Sequence, residues 1–261
     1  MILKKWVICW LLSVYFIAEA YGEWRQPSYI VDSFFEIALK NEYSNKDQVV
    51  RKWPATGIRY YYVHRVLDNR LHEELTELHL SHLHIITGLP IKPVKSIKEA
   101  NLIIVFSQEN RLKEDLLNFF DMKSTSERTL FYRDSVCLGH FSIQTNGSIQ
   151  KAVTIIPVDR ARKHGKLMAC VVEELTQVMG LPNDSIKVSP SIFNDRSRDN
   201  FLTGLDYILL KILYDQRLPV GVNKQNAMPI VQKIVADFFQ KGLIEKADRA
   251  VLNGGLYEIK N

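Results

Sequence analysis

The sequence lacks the marks of several large classes of protein. Beyond residue 22 no apolar run reaches membrane length, and there is no internal repeat or low-complexity tract. A G-x-S-x-G nucleophile elbow, a phosphate-binding loop and a dinucleotide fingerprint are absent as well. The commonest serine hydrolases and nucleotide-binding enzymes are therefore not indicated.

Cysteine is scarce. Of three cysteines, Cys9 lies in the apolar N-terminal run, which leaves Cys137 and Cys170. In an oxidising compartment this remaining pair most simply forms one disulfide, closing a loop of about 30 residues and contributing about 3–4 kcal/mol. The alternative is two buried free thiols.

Positive charge is present only in mild excess. The formal charge is +5, and removing two lysines and one glutamate with residues 1–22 leaves +4. No basic run is interleaved with aromatic residues, so the sequence does not indicate a nucleic-acid partner.

Residues 1–22 have the pattern of a secretory signal peptide. Lys4 and Lys5 precede an apolar run at 6–18, and Ala18-Glu19-Ala20 supplies small residues for cleavage after Ala20 or Gly22. A secreted or periplasmic protein without a stable membrane span is expected. The alternative is a membrane anchor, but the apolar run is shorter than the roughly 20 residues that span a bilayer.

The remainder predicts an α/β fold with a mixed sheet. We divide it into an N-terminal arm (23–51), a central domain (52–221) and a C-terminal helical tail (222–261). Strands are predicted at 57–64 and 101–107, and a hairpin over 140–157 turns at Asn146-Gly147. Helices are predicted at 71–87, 111–120, 171–179 and 202–215.

The segment CVVEELTQVMGLPND (170–184) carries the candidate site. Glu173 and Gln177 are four residues apart, so they share one helix face. Gly180 allows a left-handed exit from the helix, after which the loop can return Asn183 and Asp184 to that face.

This segment, E-E-x-x-Q-x-x-G-x-x-N, resembles the H-E-x-x-H-x-x-G-x-x-H zinc motif of the metzincin proteases. PSIFND (190–195) is similar to their Met-turn, with Phe193 in place of methionine, and LTGLDYILLKILYD resembles the C-terminal helix of the matrixins. The resemblance covers about residues 52–215. It implies a zincin-like mixed sheet with an edge hairpin, an active-site helix and C-terminal helices.

The chain is still more similar to a family of exported proteobacterial proteins of unknown function. The shared features are the Cys-x-x-Glu-Glu-x-x-Gln-x-x-Gly-Leu-x-Asn-Asp and Pro-Ser-Ile-Phe-Asn-Asp runs. This likeness implies that the altered motif is a family trait. It does not indicate which activity the family has.

The altered motif changes the chemistry that is available. Glu173, Gln177 and Asn183 offer oxygen donors, whereas zinc in proteases takes histidine, cysteine and at most one carboxylate. Without zinc, the pKa of the attacking water stays near 15.7 instead of about 7, a difference of about 12 kcal/mol that Glu174 alone does not recover. We therefore expect no zinc; calcium, magnesium or manganese is the alternative.

Two functions remain open at this stage. The first is a non-catalytic pseudo-protease that binds a peptide or an envelope protein, with the edge strand of the 140–157 hairpin as the docking surface. The second is a hydrolase that uses an oxygen-ligand metal or the Glu173/Glu174 carboxylates. His79, His82 and His84 are a further candidate metal group, and the alternative places them at the boundary of an amphipathic helix.

Overall fold

One mixed sheet lies at the centre of the protein. The computed structural model describes residues 23–40, 48–119 and 135–260, so the predicted signal peptide lies outside the described residues. The strands are β1 (Ile58–His64), β2 (Ile91–Pro93), β3 (Leu102–Ser107), β4 (Leu138–Ile143) and β5 (Ile149–Pro157). Their order is β2-β1-β3-β5-β4, and every pair is parallel except β4 with β5. The predicted α/β class is confirmed.

Helices cover both faces of the sheet, which is the usual arrangement for parallel strands. They are α1 (Pro27–Ala38), α2 (Asn69–Thr87), α3 (Leu112–Phe119), α4 (Val158–Lys163), α5 (Leu167–Gln177), α6 (Gly204–Leu213), α7 (Lys224–Gln240) and α8 (Leu243–Leu252). A small cluster on one face joins α3 to β3, β4 and β5. The larger core lies on the other face and contains the buried side chains of α2, α5 and α6.

Segments outside the predicted central domain also enter the larger core. Phe34 and Ile37 of α1 are fully buried there, as are Val231 and Ile234 of α7 and Ile244 of α8. The arm and the tail therefore pack against the same core as residues 52–221. Within the part of the chain that the structure describes, no helix is long and apolar enough to cross a membrane.

The predicted hairpin is present at the edge of the sheet. Gly147 has φ +87°, and its N–H donates to the carbonyl of Gln144 at 2.9 Å. A Cβ at this glycine would lie 2.9 Å from Gly221 Cα, so the turn requires glycine for space as well as for conformation. The hairpin makes β4 the antiparallel edge strand that precedes the motif helix.

The buried face of α2 agrees only in part with the stripe of Leu71, Leu75, Leu78 and His82 that helical spacing predicts. Leu71, expected on the apolar face, is 42% exposed, while His72, His79 and His82 are buried. His82 belongs to the predicted stripe, but His72 and His79 were not predicted to be buried, because the pattern search assigns buried helix positions to apolar side chains.

Candidate functional site

A groove separates the start of β4 from α5, the motif helix. Its volume is about 640 Å³, and it is lined by Gly139, Cys170, Glu173, Gln177, Asp184 and Asp195, among others. The predicted motif helix, the loop that follows it and the 190–195 turn therefore converge on one cavity.

A disulfide joins the two walls of this groove. Cys137, immediately before β4, is bonded to Cys170 of α5, with 5.8 Å between their Cα atoms. The predicted pairing is confirmed. Both half-cystines are buried, so the bond anchors the edge strand to the helix from the core side.

Glu174 lies in the wall between the helix and the edge strand. Its residue is 5% exposed, and a Cβ added at Gly139 would lie 2.7 Å from its Oε2. The missing side chain at Gly139 therefore lets β4 pass close to this carboxylate. Glu173, its neighbour, is half-buried and faces the groove.

Three carboxylates meet in the groove. Glu173, Asp184 and Asp195 each place one oxygen so that all three lie within 4.8 Å of one another. Gln177 supports this arrangement, because its Nε2 donates a hydrogen bond to Asp184 Oδ1 at 2.9 Å. Glu173 and Gln177 thus share a helix face, as their spacing predicts.

Asn183 does not join this group. Its Nδ2 donates to the backbone carbonyl of Glu36 at 2.9 Å, and its N–H donates to the carbonyl of Ile37 at 3.2 Å. The side chain is buried and ties the loop to α1. The structure therefore brings Glu173 and Gln177 together with Asp184 and not with Asn183.

Asp195 is the site residue that the sequence reasoning missed. It ends the PSIFND turn, in which the resemblance drew attention to Phe193 instead. Phe193 is fully buried in the core, whereas the exposed Asp195 reaches the groove. An aspartate at the end of a turn was the available signal, but nothing local indicates that the turn lies beside α5.

A buried carboxylate holds the 190–195 turn in place. Asp206 of α6 accepts from Ser191 Oγ at 2.6 Å, from the N–H of Ile192 at 3.1 Å and from the N–H of Thr203 at 2.8 Å. Burial raises the pKa of Asp206 to about 6, although these hydrogen bonds lower it. Thr203 also caps α6, so one carboxylate fixes the helix start and the turn together.

The exit from α5 depends on glycine. Gly180 has φ +112°, and a Cβ there would lie 2.0 Å from the carbonyl oxygen of Arg51. The predicted glycine turn is therefore present, and it brings Asp184 back beside the helix.

Three histidines of α2, His72, His79 and His82, lie in the core away from the groove, whereas His84 is exposed. His79 Nε2 is 3.0 Å from Thr176 Oγ1 of α5, and burial lowers the pKa of His79 to about 3. His82 packs against Gly254 and Gly255, and burial lowers its pKa to about 4. The boundary placement is wrong for both, and the described residues bring no three-ligand group together around them.

The donor set of the groove does not fit zinc. Its lining residues within the described ranges supply carboxylate and amide oxygens, and the two cysteine sulfurs are bonded to each other. Zinc proteases use imidazole nitrogen at this position, so these residues do not form the ligand set through which a zinc protease hydrolyses a peptide.

Comparison with known proteins places the chain in a family without assigning an activity. No curated protein matches the chain. A family model described as "Protein of unknown function (DUF2927)" matches residues 27–233, which cover the central sheet, the groove and α1. Because this match extends over most of the chain, the protein belongs to that family.

Proposed function

We propose that this protein is an exported, non-catalytic zincin-like protein that binds an extended peptide segment of an envelope partner between β4 and α5. The zincin-like relationship is supported by the order of features along the chain. An antiparallel edge strand precedes the motif helix, a glycine turn at Gly180 follows it, and the Asp206-anchored turn and α6 come next.

The observation that carries the binding function is the edge strand beside a preformed groove. Among the described residues β4 pairs with β5 and with no other strand, so it is an edge strand of the described sheet. Peptides commonly add to such an edge as a further strand, with side-chain pockets supplying specificity. The Cys137–Cys170 bond holds edge and helix together before binding, which reduces the entropy lost on association.

The charge of the groove selects the partner. Among the described residues, its lining includes Glu173, Glu174, Asp184 and Asp195 against one cation, Lys166. An extended segment with a lysine or arginine side chain would complement this wall, whereas an acidic segment would be repelled.

The same wall supports the proposed absence of catalysis. Glu174 occupies the position of the general base in the zinc motif, but no zinc-type donor lies beside it among the described lining residues. A water molecule without the metal keeps its high pKa, so the carboxylate has no activated nucleophile to deprotonate. The groove is then suited to holding a chain and not to cutting it.

A random peptide display library, selected on the purified protein, tests this function. Expected binders carry a lysine or arginine and remain intact after prolonged incubation, as mass spectrometry would show. Methylating alternate backbone nitrogens of a selected peptide should abolish binding, because strand addition needs those donors. Unchanged binding by the methylated peptide, or cleavage of the peptide, would refute the proposal.

A second candidate function rests on the carboxylate cluster. Glu173, Asp184 and Asp195 supply a hard, all-oxygen donor set of the type that calcium, magnesium or manganese prefers. Titration with each ion alone separates the two functions: a stoichiometric shift in melting temperature that is lost in Asp195→Asn favours a metal-dependent hydrolase, and no shift favours the peptide groove.

A further inference from the structure

A basic surface lies at the edge of the sheet opposite the groove. Strand β2 is the other edge strand, and a shallow depression of about 620 Å³ beside it is lined by Arg59, Lys92, Lys95 and Lys98, with Glu99 as the one acidic side chain of the lining. We name these four cations the basic edge. The three lysines are exposed and Arg59 is half-buried.

The fold places like charges side by side within the basic edge. Arg59 and Lys92 are Cα partners in the parallel pairing of β1 and β2, so their side chains leave the same face of the sheet. Like charges in paired positions destabilise a sheet. Arg59 directs its Nε to the backbone carbonyl of Glu99 at 2.8 Å, which leaves the positive charge uncompensated.

The lysines of the basic edge form no ion pair with any residue that the structure describes. Some exposed lysines elsewhere are neutralised: Lys40 pairs with Glu36, and Lys241 pairs with Asp237. The positive charge at the basic edge is therefore not neutralised within the described fold. It is available to an anionic partner.

An exposed apolar residue lies next to these cations in the sequence. Ile97 follows Lys95 by two residues, precedes Lys98 and is 40% exposed. Cations around an exposed apolar residue are typical of surfaces that touch the headgroup region of a bilayer. Lysine also supplies a mobile point charge rather than the rigid fork that recognises one defined anion, and this favours a field of mobile headgroups over a structured acidic protein.

We propose that the basic edge docks the protein on an anionic phospholipid surface, with lipid phosphates against Arg59, Lys92, Lys95 and Lys98 and with Ile97 at the acyl boundary. Four cations are at the lower end of the clusters that bind anionic lipid, so attachment is reversible and weakened by salt. The site goes beyond the peptide groove, and because β2 and β4 are opposite edges of the sheet, membrane contact leaves the groove accessible.

Co-sedimentation of the purified protein with phospholipid vesicles tests this surface. Binding is expected with vesicles that contain phosphatidylglycerol, should decline as salt is added, and should be absent with pure phosphatidylcholine. Lys92→Gln/Lys95→Gln/Lys98→Gln should weaken binding about a hundredfold, since each cation near an anionic surface contributes about fivefold. Ile97→Ser should weaken binding while its salt dependence persists.

A matched variant controls for net charge. Lys163, Lys233 and Lys246 are exposed lysines on α4, α7 and α8, and replacing all three by glutamine removes the same charge from other surfaces. This variant should bind vesicles as the wild type does; equal weakening would overturn the proposal. It would also be overturned by equal binding to neutral vesicles, by binding of inorganic phosphate or polyglutamate without vesicle binding, or by no binding at all.

Discussion

Gln177 and Asp184 are joined by a hydrogen bond in which the amide Nε2 donates to the carboxylate Oδ1 at 2.9 Å. In the zinc motif that this segment resembles, the position of Gln177 carries a metal-binding histidine. Here it carries a donor that holds a carboxylate near Glu173. The side chain at this position therefore holds a carboxylate in the acidic wall of the groove.

This contact predicts how a zinc site could be introduced by substitution. In Glu173→His/Gln177→His two imidazoles stand four residues apart on α5, with the Asp184 carboxylate as third ligand, the composition of known catalytic zinc sites. We expect the double variant to bind zinc at one equivalent, measured by calorimetry, and the wild type not to do so. Adding Asp184→Asn should abolish this binding.

The matched variant of that experiment is Asn183→His added to the same double variant. It should not tighten zinc binding, because residue 183 lies against α1 and not in the groove. If Asn183→His raised the zinc affinity and Asp184→Asn left it unchanged, the loop would adopt another arrangement.

Asp206→Ala should strongly destabilise the protein. The substitution leaves the buried hydrogen-bond donors of Ser191, Ile192 and Thr203 without their acceptor and removes a helix cap. We expect the free energy of unfolding to fall by about 3–5 kcal/mol. Urea denaturation measures it. Asp195→Ala removes an exposed carboxylate and should change stability by about 0.5 kcal/mol or less. Equal losses in the two variants would contradict the anchoring role.

Gly180→Ala should destabilise the protein more than Gly165→Ala. Both positions have positive φ, but a Cβ at Gly165 meets nothing within 4 Å, whereas at Gly180 it collides with the Arg51 carbonyl. We expect about 1 kcal/mol for the conformational cost alone at Gly165, and roughly 3 kcal/mol or a failure to fold at Gly180. Thermal denaturation of the two variants measures these losses of stability. Similar losses would indicate that the backbone at Arg51 moves to accommodate the added methyl group.

Stability should fall in mild acid. His79 and His82 have folded pKa values of about 3 and 4, so between those values and about 6.5 the unfolded chain binds more protons than the folded protein. Stability is therefore lost as the pH drops below 6.5. Asp206 acts in the opposite direction, because its pKa in the folded protein is raised to about 6. Its contribution to stability therefore increases as the pH falls from about 6 to about 4.

The balance of these groups gives a net loss of about 2–3 kcal/mol from pH 8 to pH 5, measured as the free energy of unfolding in urea. His79→Leu should flatten the slope, and Thr176 remains satisfied in that variant because its hydroxyl donates to the carbonyl of Val172. A slope that is unchanged by His79→Leu would assign the acid sensitivity to other groups.

Local patterns predicted most of the fold. The buried strand Leu102–Ser107, the hairpin at Asn146-Gly147 and the motif helix each follow from a few adjacent residues, whose conformational preferences and hydrophobicity agree with the structure. Strand β2 was not predicted, because its three residues are too short to show a period and obtain their pairing from β1.

The site was predicted only as far as its helix. The spacing of Glu173 and Gln177 fixes their shared face, but the side chains of the following loop are placed by contacts that are distant in sequence. Asn183 is drawn to α1 by the carbonyl of Glu36, 147 residues away, and Asp195 reaches the groove because Asp206 holds the turn before it. Contacts with partners so distant in sequence cannot be predicted from the residues of the loop itself.

The bond between Cys137 and Cys170 makes the groove sensitive to the redox state of its surroundings. It connects the edge strand to the helix directly, so the distance between the two walls is limited by a covalent link and not by packing alone. In a thiol-rich medium the walls would be free to separate, and a ligand that needs both would dissociate faster. The proposed peptide binding would then be firm only in an oxidising compartment.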